Sequence, residues 1–156
     1  MIRYVVAVLL TLALLGLAGL AIDDAAGETT ERELRTELAA VEAAAVELEA
    51  TEELSPAGHP NPQRVVEFSV PTRSLTRAGV DHLEIEPVAD DASVARYVLT
   101  DGTRGRMLLE SRLVYRDPTA ARTTEIGWRG TNDVRLVLQP DADGQPVVVV
   151  TLSDSR

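Results

Sequence analysis

His82, Glu84 and Glu86 alternate along one short run, so in an extended strand all three project from the same face. A histidine and two carboxylates are a donor set that can hold a divalent metal. Side chains two apart on a strand stand ~6.5 Å from each other, however, too far for all three to close easily on one ion. A solvated strand face is therefore expected. Asp141-Ala142-Asp143-Gly144 has the opening of a calcium loop, but its third acidic position is missing and no Glu closes a twelve-residue loop, so the segment reads as a turn. His59, between Gly58 and Pro60, is a linker histidine facing solvent. No metal and no cofactor is expected.

Nucleophilic chemistry has little to draw on. The chain holds no Cys, all 15 basic residues are Arg, and no Gly-x-Ser-x-Gly elbow occurs. A Walker-type phosphate loop needs Lys and is excluded. The reading is not an enzyme. Against those 15 Arg stand 25 acids, a net charge of −10, and a polyanion needs a basic footprint, so nucleic acid is not expected as a partner. A Lys-free, acid-rich composition suits a salt-loving or GC-rich organism, because concentrated salt screens the self-repulsion of an acidic surface.

The elements that must carry these residues begin with Tyr4–Ile22, nineteen consecutive uncharged residues, apolar on every helical face. At 1.5 Å per residue such a helix just covers the ~30 Å hydrocarbon core of a bilayer. Gly19-Leu20-Ala21 also offers small residues where a signal peptidase could cut, although the apolar region is longer than the 7–15 residues usual in signal peptides. Both readings export the rest of the chain. Arg3 lies before the span, and Asp23, Asp24 and Glu28 lie after it. The retained form is thus expected to be a single-pass membrane protein with a cytoplasmic N-terminus and an extracellular C-terminal domain.

An acidic helix should follow. Leu34, Leu38, Val41, Ala45 and Leu48 recur at spacings of 4, 3, 4 and 3 and line one narrow stripe, as in a coiled-coil seam. Either the chain's own β domain or another subunit could cover it. Thr30-Glu31-Arg32-Glu33 reads as a capping box that starts the helix, and Ser55-Pro56-Ala57-Gly58 ends it. Residues 23–53 hold eleven acids against Arg32 and Arg35, whereas everything after Leu54 is nearly balanced.

From Arg64 the apolar period changes to two. Strands are expected at 64–70, 80–88, 95–100, 106–116, 133–139 and 146–152, with Asp101-Gly102 and Asp143-Gly144 turning two antiparallel hairpins. Trp128 is expected to anchor the core. In a single 106–116 strand, Arg106, Arg112 and Arg116 share the face away from the core, a basic stripe that could meet the acidic stalk of a neighbouring copy. The fold class is therefore α+β: a transmembrane helix and an acidic amphipathic helix followed by an antiparallel sheet or small sandwich. The parts are an anchor (1–22), a stalk (23–54), a Pro-rich linker (55–63) and a β domain (64–156).

This order resembles the layout of type IV pilins and pseudopilins, carried by the span Tyr4–Ile22, the Leu34/Leu38/Val41/Ala45/Leu48 stripe and the strands from Arg64. The composition is similar to that of small anchored haloarchaeal proteins that accompany pilus-like secretion machinery. No basic leader with a Gly or Ala cleavage point precedes the apolar run, and no Glu stands early in it. The resemblance thus implies an unprocessed, minor, pilin-like envelope subunit whose partners are the bilayer and further copies or other envelope subunits. An exported, tethered module that binds a ligand or another envelope protein is the alternative.

Overall fold

The structure, a computed structural model, describes residues 2–74, 76–127 and 129–152, without the side chains of Ile2, Arg3 and residues 17–24. One helix, α1 (Ile2–Thr51), precedes eight strands: β1 (Gln63–Val70), β2 (Val80–Ala89), β3 (Ala92–Leu99), β4 (Arg104–Leu109), β5 (Leu113–Tyr115), β6 (Thr124–Glu125), β7 (Gly130–Pro140) and β8 (Pro146–Leu152). They form two four-stranded sheets, in the orders β1-β7-β8-β5 and β4-β3-β2-β6. The protein is α+β, and every strand pair is antiparallel except β5 with β8.

The two helices expected from the sequence are one continuous helix, which corrects the capping-box reading of Thr30. Its hydroxyl does not receive first-turn amides. It donates to the Ala26 carbonyl one turn back (2.9 Å) and accepts the Ala78 N–H from the β domain (3.0 Å). No Pro or Gly pair interrupts residues 22–30, so Asp23 and Asp24 do not end the helix. The expected span Tyr4–Ile22 lies partly outside the described residues, as does Trp128. Among the described residues, no helix is long and apolar enough to cross a membrane.

The stripe meets the chain's own sheets. Leu34, Leu38, Val41, Ala45 and Leu48 are at most 2 % exposed and share one core with Phe68, Leu83, Tyr97, Leu109 and Leu136. Alternation places those strand residues inward, as expected for Phe68 and Val70 on β1 and for Leu83 and Ile85 on β2. The hairpin turns also form as expected, with Gly102 and Gly144 at φ 89° and 79°.

The single 106–116 strand is corrected: it is two strands in different sheets. β4 stays with β3, the chain crosses at Glu110–Arg112, and β5 joins β8. The crossing breaks the alternation, so Leu113 and Val114 are both buried. Val114 packs with Val147 and Val149 in a small second cluster rather than facing outward.

Candidate functional site

The helix closes the open side of the sandwich between the two edge strands β1 and β4, and its acids do much of the joining. The Glu37 carboxylate accepts the Ser69 N–H of β1 (3.0 Å), and Glu42 accepts the Glu110 N–H just past β4 (2.6 Å). Glu33 pairs with Arg77 (3.0 Å) and Glu47 with Arg64 (3.1 Å). These contacts occupy backbone donors and edges that would otherwise stay open to pairing with other chains. At the end nearer the apolar segment, the Asp101 carboxylate of the β3–β4 turn comes close to α1 at Gly27, 2.8 Å from where a Cβ would stand.

A second polar contact of this joint, beside the buried Thr30–Ala78 bond, comes from Tyr97. Its hydroxyl donates to Glu31 (2.7 Å), which also holds Arg35 (2.6 Å). The Tyr97 hydroxyl and then Arg35 hold the Glu31 carboxyl below its ordinary value, while burial and the facing Glu31 push the Tyr97 phenol up. Further along, burial pushes the Glu49 carboxyl up. The nearby Ser111 hydroxyl counteracts part of this, although that buried hydroxyl meets no partner in full hydrogen-bond geometry.

Before the joint, α1 is bare. From Tyr4 to Gly16 every side chain is exposed, the large apolar ones by 55–80 %. Within one helix the chain passes from residues with no protein cover to Leu34, which is fully covered.

The residues singled out for chemistry fall on surfaces. His82, Glu84 and Glu86 share an outer face of β2, where His82 leans on Glu84 (3.3 Å) and Arg96 pairs with both carboxylates. Among the described residues, no group of three His, Asp or Glu is placed to hold a metal ion. Asp141 is a turn residue: one carboxylate oxygen accepts the Asp143 and Gln145 N–H groups, and the other accepts Arg112 (3.1 Å). These bonds, led by the Gln145 amide, hold its carboxyl below the ordinary range. His59 is exposed in the linker.

Arg106, Arg112 and Arg116 do not form one stripe. Arg106 lies on the outer face of β4, Arg112 is half-buried on Asp141, and Arg116 lies over the Tyr115 ring at 4.9 Å. The physical reason is the crossing between sheets after Leu109. Polar grooves among the described residues include one of about 480 Å³ between Glu37, Arg77 and Thr131 and one of about 570 Å³ beside Arg112 and Asp141.

A family model described as a domain of unknown function, DUF7311, matches residues 1–153. The chain belongs to this family. No curated protein and no solved structure matches it. The DUF7311 match takes in the bare apolar helix together with the sandwich, so the joint described above lies inside the family's domain rather than between two domains.

Sequence reasoning missed the engagement of the DUF7311 stalk acids. Glu31 meets Arg35 at i,i+4 as helix spacing expects, but Glu33, Glu37, Glu42 and Glu47 carry no mark of a partner in the sequence, yet each has one in the structure. The signal was their spacing: Glu33, Glu37 and Glu47 lie near the flanks of the Leu stripe, where a covered stripe must meet strand edges.

Proposed function

We propose that this chain is a non-enzymatic, membrane-anchored subunit of an envelope or pilus-like assembly that displays its β domain outside the cell. The observation that carries the reading is the bare apolar helix from Tyr4 to Gly16, continuous with a helix whose next turns are buried. Water seldom tolerates so many contiguous exposed apolar side chains, and lipid or the helices of neighbouring subunits would cover them. The pilin-like layout is supported by the same arrangement, an apolar helix continued by one seated on a β domain. Arg3 before the apolar run and Asp23, Asp24 and Glu28 after it support an outward β domain.

Full-length protein in its native membranes, washed with alkaline carbonate and treated with protease from outside, tests this. Retention in the pellet with loss of the β domain to protease is expected. Release by carbonate, or a protected β domain in intact cells, overturns it. A tethered binding module is the second reading. It draws on the filled stripe, which takes the seam away from partners, and on the two polar grooves.

A further inference from the structure

Two charged patches lie on opposite outer faces of the sandwich, and neither has an ion-pair partner among the described residues. On β4, Arg104 and Arg106 point outward beside Leu108, which is 62 % exposed. Arg106 stands directly across from Arg96 on β3, a like-charge pair that a sheet disfavours. Arg96 is held by Glu84 and Glu86, and neither Arg104 nor Arg106 makes an ion pair among the described residues. On the other sheet Glu67 of β1 stands directly across from Asp133 of β7, both exposed and, among the described residues, both without an ion pair. Beside them Val65, 57 % exposed, stands directly across from the exposed Arg135 of β7, so this face carries two carboxylates and, at its Val65 end, one arginine.

The order of the groups matches as well as their sign. Tyr97 covers Gly105 and bonds to Glu31, while Glu110 bonds to Glu42, so β4 runs in the same direction as α1. Ser69 meets Glu37 and Arg64 meets Glu47, so β1 runs the opposite way. Followed from the apolar end of α1 toward Thr51, β4 presents Arg104, Arg106 and then Leu108, and β1 presents Ser69, Glu67 and then Val65. Two copies with parallel helices therefore set arginine against carboxylate and Leu108 against Val65. Antiparallel copies would set the apolar residues against polar ones. Parallel helices are what a shared membrane imposes.

We infer that the β4 face of one copy docks on the β1–β7 face of a second, pairing Arg104 and Arg106 with Glu67 and Asp133 while Leu108 packs on Val65. The proposal rests on the assembly reading above and names its contact. The two faces differ and lie on opposite sides of the sandwich, so the contact is head-to-tail and each copy keeps one face of each kind for a further neighbour. The acidic pair also lies farther along α1 than the arginines, so a row built this way steps along the helix direction.

The absence of cysteine makes the test specific. Full-length chains carrying Val65→Cys and Leu108→Cys, on separately tagged copies, are co-expressed and mildly oxidised in 0.1 M salt. The mixed disulfide should form at least fivefold more than either homotypic one. Adding Arg104→Glu and Arg106→Glu to the Leu108→Cys copy should abolish that excess, and Glu67→Arg with Asp133→Arg on the Val65→Cys copy should restore it. No mixed product, equal homotypic product, or no response to the charge exchange overturns the proposal. Membrane retention is read on the same samples, and the cross-link is scored in whichever fraction holds the protein. Failure of the docking is thereby separate from failure of the anchor.

Discussion

The hydroxyl of Tyr97 on β3 donates to the carboxylate of Glu31 on α1 across 2.7 Å, with the tyrosine ring 1 % exposed. This contact ties the second sheet to the helix, where the hydrophobic stripe alone would allow sliding. A hydrogen bond to a charged acceptor contributes about 1.5–3 kcal/mol. Tyr97→Phe should therefore lower the stability of the full chain by about 1.5 kcal/mol, read from denaturant unfolding.

The same bond sets an acid dependence. Glu31 is held below its ordinary value of 4.5 by Tyr97 and Arg35, so its stabilising effect is present above that value and is lost as the pH falls through the lowered one. Stability should decline from about pH 4.5 downward, and less steeply in Tyr97→Phe. Equal slopes in the two proteins would contradict this assignment.

Glu49 has the opposite sign. Burial raises its carboxyl, so its contribution is full below the unfolded value and is lost as the pH rises through the raised one. Glu49→Gln should melt at a higher temperature than the parent at pH 7, and the gap should close near pH 4.

Gly105 lies under the Tyr97 ring, where an added Cβ would run into the ring carbons and the hydroxyl. Overpacking of this kind costs about 1–3 kcal/mol. Gly105→Ala should destabilise within that range, and the Gly105→Ala/Tyr97→Leu pair should recover part of the loss.

Leu34, Leu38 and Leu48 fill the sandwich core, so the β domain should not fold without them. A 55–156 fragment should lack a cooperative transition, whereas 25–156 should have one, and lowering the salt should shift helix and sheet signals together. Leu38→Ala should cost about 2–5 kcal/mol. Helix loss preceding sheet loss in a salt series would show that α1 is an independent stalk.

The α+β class, five of the strand positions and the apolar stripe are legible because periods of 3.6 and 2 leave a trace in every few residues. Other features leave no such trace. The alternation of Met107, Leu109, Ser111 and Leu113 runs unbroken through the crossing at Glu110–Arg112, so sequence pattern cannot register that the chain changes sheets there. β6 has two residues and therefore no period at all. Thr30 with Glu33 is the same string whether it caps a helix or lies inside one, and the difference is the Ala78 N–H arriving from 48 residues away. The arginine stripe failed for the crossing's reason, and the acid partners stayed hidden because they belong to long-range geometry.

The unbroken helix makes the molecule a lever. Because one continuous helix joins its bare part to its seated part, an inclination of the first is passed on to the second. From Ala26 to Thr51 the arm is roughly 38 Å at 1.5 Å per residue. A tilt of about 20°, ordinary for a helix in a bilayer, would carry the far end of the sandwich sideways by roughly 13 Å. In the anchored reading proposed above, a change of inclination in the bare segment would thus appear as a sideways displacement of the β domain.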